Sequence, residues 1–177
     1  MSSLKPLRGV RVLSLALNLP GPAALMRLAQ MGASCTKVNP PSGDPMQHYT
    51  PDGYDMLHHG AKHKTLDLKT ATGQAALELL QLRDYDLMTL DLNLPDMTGI
   101  DIVRYVRDTE LKQAATGAPL PIIIVSGDLA PAKQALVQSG LLTDVYWQSK
   151  PLSYLEFDRL LNRVLTPAVD KTPEDSL

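Results

Sequence analysis

The 177 residues contain one cysteine, Cys35, so no intramolecular disulfide can form. That fits a reducing compartment, and a lone thiol in an apolar stretch reads as a small strand residue rather than a nucleophile. Aromatic residues make up only 5% of the chain, with one Trp and one Phe. The core must therefore come from Leu, Val, Ile, Ala and Met, with methionine as filler. A basic excess is also missing: 17 Lys and Arg face 19 Asp and Glu, a net charge of -2, which argues against a nucleic-acid surface. No apolar run is long enough to cross a bilayer, and the opening MSSLKPLRGVRVLSLALNLPG lacks a small-residue cleavage site. The expectation is a soluble, cytoplasmic protein with neither a membrane nor a nucleic-acid partner. A glycine-rich phosphate loop is absent too, since NLPGPAA has one glycine and two prolines.

What the chain does have is an alternation of β-rich runs and helical periods. VRVLSLAL reads as strand one, AALMRLAQMGA as a helix stopped at Gly32, and SCTKV as strand two. Residues 39–64 hold Pro, Gly, Asp and all four histidines without a clear period, and are expected to form an inserted loop. TLDL offers at most a short extra strand. Four further runs follow as strand or helix: TATGQAALELLQL (helix), YDLMTL (strand), TGIDIVRYVRDTEL (helix) and LPIIIV (strand). APAKQALVQS (helix), TDVYWQ (strand) and SYLEFDRLLNRVL (helix) complete the series. Five strand–helix units call for an α/β fold. The expected form is a flavodoxin-like three-layer sandwich, a five-stranded parallel sheet in the order 2-1-3-4-5 with an insertion after strand two. Residues 1–165 are expected as one domain and 166–177 as a disordered polar tail.

In such sheets the working groups collect at the carboxyl ends of the strands, beside the point where the strand order reverses. Strand three ends on Asp91, strand four on Ser126, and strand five is followed by Lys150. Taken singly, each is an ordinary turn or surface residue. Together, a carboxylate, a hydroxyl and an ammonium suit phosphoryl transfer to an acid: one attacks, and the others neutralise the incoming oxygens.

On YDLMTLDLNLPDMTGIDIVRYVR, PIIIVSGD and WQSKPLSYLEF, residues 84–165 resemble the later part of a response-regulator receiver domain. The resemblance implies Asp91 as phosphoacceptor, Ser126 as the switch hydroxyl, Lys150 as the phosphate-facing lysine and Trp147 as the switch aromatic. It also implies a cis Lys150–Pro151 bond. Receivers further carry an acidic pair after strand one that holds Mg²⁺. Here that place reads Ala16, Leu17, Asn18. Only Asp91 and Asn93 remain as ligands, a weak and incomplete metal site, and phosphorylation is expected to be slow or absent.

The first half is different. PLRGVRVLSLALNLPGPAALMRLAQMGASCTKVNPPSGDP and TLDLKTATGQAALELL resemble the opening of the family III CoA-transferases, so residues 6–82 are similar to one family and 83–165 to another. The transferase's catalytic aspartate lies beyond the matching stretch, so no enzyme activity is expected. Lys62 and Lys64 are the residues left to touch a CoA phosphate, and Asn39 stands where that family tends to have Glu.

The leading expectation is a signalling module that meets a protein partner, such as a histidine kinase or phosphotransfer protein, through strand four, the next helix and strand five. A working phosphoacceptor with its metal site rebuilt by Asp44, Asp52 or Asp55 is one rival. A CoA- or nucleotide-binding module is another, and an inactive chimera a third. His59 and His63, four apart, would share a face only on a helix, and none is expected there.

Overall fold

The apolar run around Val12 becomes β1 (Arg11–Leu15), buried on both faces at the middle of the sheet. The computed structural model describes residues 5–79, 84–95, 97–112 and 118–165. After β1 come α1 (Pro20–Gln30), β2 (Ser34–Asn39), α2 (Met46–Tyr49), α3 (Pro51–Leu57) and β3 (Lys62–Thr65). Then follow α4 (Ala71–Leu79), β4 (Leu87–Leu90), α5 (Gly99–Lys112), β5 (Ile122–Ser126), α6 (Ala130–Gln138), β6 (Val145–Ser149) and α7 (Tyr154–Leu165).

The strands pair in parallel in the order β3-β2-β1-β4-β5-β6. Without β3 this is the flavodoxin-like order 2-1-3-4-5, and the order reverses between β1 and β4. Strand alternation sorts the core into two layers. Leu13, Leu15, Met88, Leu90, Ile122 and Ile124 face α4, α5 and α6 on one side. Val12, Cys35, Leu87, Ile123 and Val125 face α1 and α7 on the other. Residues before and after position 82 contribute to both layers. An ion pair adds to this, with Arg27 of α1 donating to both carboxylate oxygens of Asp158 of α7 at 3.0 and 2.5 Å.

The structure corrects three expectations. The sheet has six strands, not five, because residues 62–65 pair with β2. The extra strand is KHKT rather than TLDL. Leu66 makes the last backbone bond to β2, its N–H reaching the Asn39 carbonyl at 3.0 Å, and the chain then turns to bring Leu68 into the core. Residues 39–64 are not a loop either. Pro45 and Pro51 each start a short helix, and Met46, Tyr54 and Leu57 pack with Met26 of α1. Because α3 ends at Leu57, His59 falls in a turn and His63 in β3, so the two share no helix face. The expected tail, 166–177, lies outside the described residues.

Cys35 is buried in β2, and burial pushes its thiol up to about 12. The native protein should therefore resist iodoacetamide at neutral pH, and the unfolded chain should react. Mass spectrometry of protein alkylated with and without urea checks this.

Candidate functional site

Parallel pairing brings the carboxyl ends of β1, β4, β5 and β6 to one edge. Asp91 follows β4 directly and is 1% exposed. Its Oδ2 accepts a hydrogen bond from Lys150 Nζ at 2.6 Å, and its Oδ1 accepts the Asn93 backbone N–H at 3.1 Å. The chain then turns so that the Gly99 N–H reaches the Leu92 carbonyl at 3.0 Å. A Cβ on Gly99 would lie 2.6 Å from the Asp91 carbonyl oxygen, so only glycine lets α5 begin this close. Thr98 caps that helix: its Oγ1 accepts the Asp101 N–H and donates to Asp101 Oδ2.

Lys150 is placed by β6. Its backbone N–H bonds the Ser126 carbonyl at 3.0 Å, and the Lys150–Pro151 peptide is cis. Ser126 and Ser149 are register partners. The Ser126 hydroxyl donates to the Asp128 carbonyl at 3.5 Å. Trp147 pairs in register with Ile124, packs half-buried on the α6 side, and carries the Lys133 ammonium 5.4 Å from its ring centre. The structure thus joins Asp91, Asn93 and Lys150 directly, brings Ser126 in through the backbone, and sets Trp147 on the neighbouring face.

Sequence reasoning missed Lys37. It lies in β2 on the same sheet face as Asp91 and is 0% exposed. Its ammonium donates to the Ala16 carbonyl and lies 3.4 Å from Asp44 Oδ2. Asp44 Oδ1 in turn accepts the N–H groups of Asn18 at 3.2 Å and Met46 at 3.1 Å. Asn18 holds a left-handed backbone, with φ of 59°. Burial pulls the Lys37 ammonium down to about 8, opposed by Asp44 and Asp91, which both favour its charged form. The signal in the sequence was a charged residue at an inward position, between Cys35 and Asn39, with an acid seven residues on.

A polar cluster lies behind this pair. The Tyr54 hydroxyl accepts from Asn39 Nδ2 at 3.0 Å and meets His63 Nδ1 at 3.3 Å. His58 Nδ1 stands 2.8 Å from the Tyr54 carbonyl oxygen, which only accepts, so Nδ1 carries the proton. His58 Nε2 is buried with no hydrogen-bond partner. Among the described residues no group of three or more His, Cys, Asp or Glu is arranged to hold a metal ion.

This geometry is that of a receiver, and the family comparison agrees: the response regulator receiver domain family matches residues 56–146, just over half of the chain, and the chain belongs to it. The family III CoA-transferases match residues 7–86. The aerobic respiration control sensor protein ArcB of Escherichia coli K12 is 41% identical over 83 residues, covering 46% of this chain and 10% of ArcB. The cell cycle transcriptional regulator CtrA of Caulobacter vibrioides is 43% identical over 58 residues, 33% of this chain and 22% of CtrA. The chain thus matches only a small part of either relative. Among solved structures, a hypothetical protein (Rv3272) from Mycobacterium tuberculosis superposes with a TM-score of 0.53 at 26% identity, covering 69% of this chain and 33% of that one. Among the described residues no helix is long and apolar enough to cross a membrane.

Proposed function

We propose that the chain is a receiver-type signalling module, without transferase activity, in which Asp91 is a phosphoacceptor of low efficiency and output runs through protein contacts. The observation that carries this is the Lys150–Asp91 hydrogen bond at the carboxyl edge of the sheet. In it a buried carboxylate is held beside the cation that would meet the incoming phosphoryl oxygens. Ser126 and Trp147 are the switch pair. The partner face is β5, α6 and β6, where Val137 and Leu142 are exposed apolar residues. The partner is a histidine kinase or a phosphotransfer protein, a class that suits a receiver whose relative ArcB is a sensor protein.

Efficiency is low because Ala16, Leu17 and Asn18 supply no acid for Mg²⁺. Nor do the acids of 39–64 supply it: Asp52 and Asp55 are exposed on α3, and Asp44 is held by Lys37 and two backbone N–H groups. The CoA-binding reading finds little support, since Lys62 and Lys64 sit exposed on the outermost strand.

Intact mass after incubation with acetyl phosphate, with and without Mg²⁺, tests the reading. The expected result is a slow, sub-stoichiometric phosphoryl adduct, indifferent to Mg²⁺ and lost in Asp91→Ala. Fast Mg²⁺-dependent labelling would overturn the low-efficiency reading. No adduct at all would overturn Asp91 as acceptor.

A further inference from the structure

The loop after β1 is where a receiver's acidic pair would stand, and in this chain the Lys37 ammonium bonds its Ala16 carbonyl. The strand register sets Lys37 beside Ser14, and Ser14 beside Thr89. All three lie on the face shared by α1 and α7, and Asp91 lies two residues beyond Thr89 on that face. The Ser14 and Thr89 hydroxyls are buried without hydrogen-bond partners, so a polar row runs from Lys37 towards Asp91. Leu15 pairs with Leu90, which makes Ala16 and Asp91 the next residue along each strand. The Lys37 ammonium bonds the Ala16 carbonyl, and Asp44 holds both the ammonium and the Asn18 N–H. The cation is thus fixed on the β1 side of Asp91, while Lys150 occupies the β6 side.

The donor set does not fit a divalent ion. Mg²⁺ demands a near-octahedral shell of oxygens and is reluctant to shed water. Residues 16–18 offer no carboxylate. Asp91 gives one oxygen to Lys150 and the other to the Asn93 N–H. Asp44 is engaged with Lys37.

We propose that Lys37 is the resident cation on the β1 side of Asp91: its ammonium stands in the charge-balancing place of a receiver's divalent ion, and no metal is held there. This rests on reading Asp91 as the working carboxylate. Such a cation cannot be chelated away. Through Asp44 it is tied to the segment carrying α2 and α3, so whatever displaces that segment also changes the charge beside Asp91.

The thermal midpoint with and without MgCl₂, against NaCl of equal ionic strength, tests this. The wild-type midpoint should not respond to about 10 mM MgCl₂. Lys37→Met, which leaves Asp44 and Asp91 without the ammonium, should rise by about 3 °C, as a millimolar ligand of the folded state requires. That rise should vanish in Lys37→Met/Asp91→Asn. Side-chain ¹⁵N NMR of the otherwise unmodified chain gives a second readout that needs no Lys37 variant. Asp91→Asn should displace the Lys37 Nζ resonance, and Asp86→Asn, at the far end of β4, should not. An Asp91-dependent response of the wild type to Mg²⁺, a folded Lys37→Met that ignores Mg²⁺, or a Lys37 resonance indifferent to Asp91→Asn would each overturn the proposal. Neither measurement uses a phosphoryl donor, so a failed labelling experiment bears on Asp91 as acceptor and these bear on Lys37.

Discussion

Lys37→Met is expected to cost the folded chain about 3–5 kcal/mol, read as a fall in the urea midpoint, because it strands the buried Asp44 carboxylate. Both partners are 0% exposed, so water cannot take over for the missing ammonium. The Ala16 carbonyl loses its donor in the same step. Adding Asp44→Leu to Lys37→Met should recover part of the loss, since an apolar pair of similar volume no longer buries a charge. Recovery should be incomplete, because the Asn18 and Met46 N–H groups then lose their acceptor. A double variant no more stable than the single one would mean that the two charges are not coupled, and a double-mutant cycle measures this directly.

Lowering the pH from 7.5 to 4.5 is expected to remove about 2–3 kcal/mol of stability through His58. Its imidazole is buried against Tyr54, and burial lowers its pKa from 6.5 to about 4, with Lys37 and His63 adding to the effect and Asp44 opposing it. Above pH 6.5 the ring is neutral in both folded and unfolded chains, and its contribution is fully present. Below 6.5 the unfolded chain takes up the proton, while the folded chain does not until about 4, so stability falls across that window. His63, also lowered by burial, acts in the same direction. Urea unfolding at the two pH values, on wild type and His58→Gln, checks the assignment. The substitution should flatten the dependence, and an equally steep profile in the variant would place the titrating group elsewhere.

Asp91 and Lys150 were legible because a parallel sheet gathers its strand ends, so residues 59 apart in sequence meet once the strand order is known. The same reasoning left Ser126 and Trp147 at correct strand positions but could not give their side-chain partners, which depend on Asp128 and Lys133 nearby. Lys37 was hidden for a different reason. A lysine in a strand reads as solvated, and its burial depends on Asp44 returning across a turn of prolines and glycine. The helices at 46–57 are too short to show a period, and each depends on a proline start and on Met26 for its packing. KHKT has no apolar face; its place in the sheet comes from backbone pairing with β2 and from His63, which meets the Tyr54 hydroxyl.

Both margins of the sheet carry cationic side chains. On one side Lys62 and Lys64 are exposed along β3. On the other, Lys133 and Arg163 lie over Trp147 and Tyr146 of β6. An open strand edge is an invitation to aggregate, and lysines along it are a common deterrent. Two copies meeting edge to edge would bring ammonium against ammonium, or ammonium against guanidinium, whichever margins they offered. Pairing of two copies through these edges therefore carries an electrostatic cost that a neutral margin would not impose.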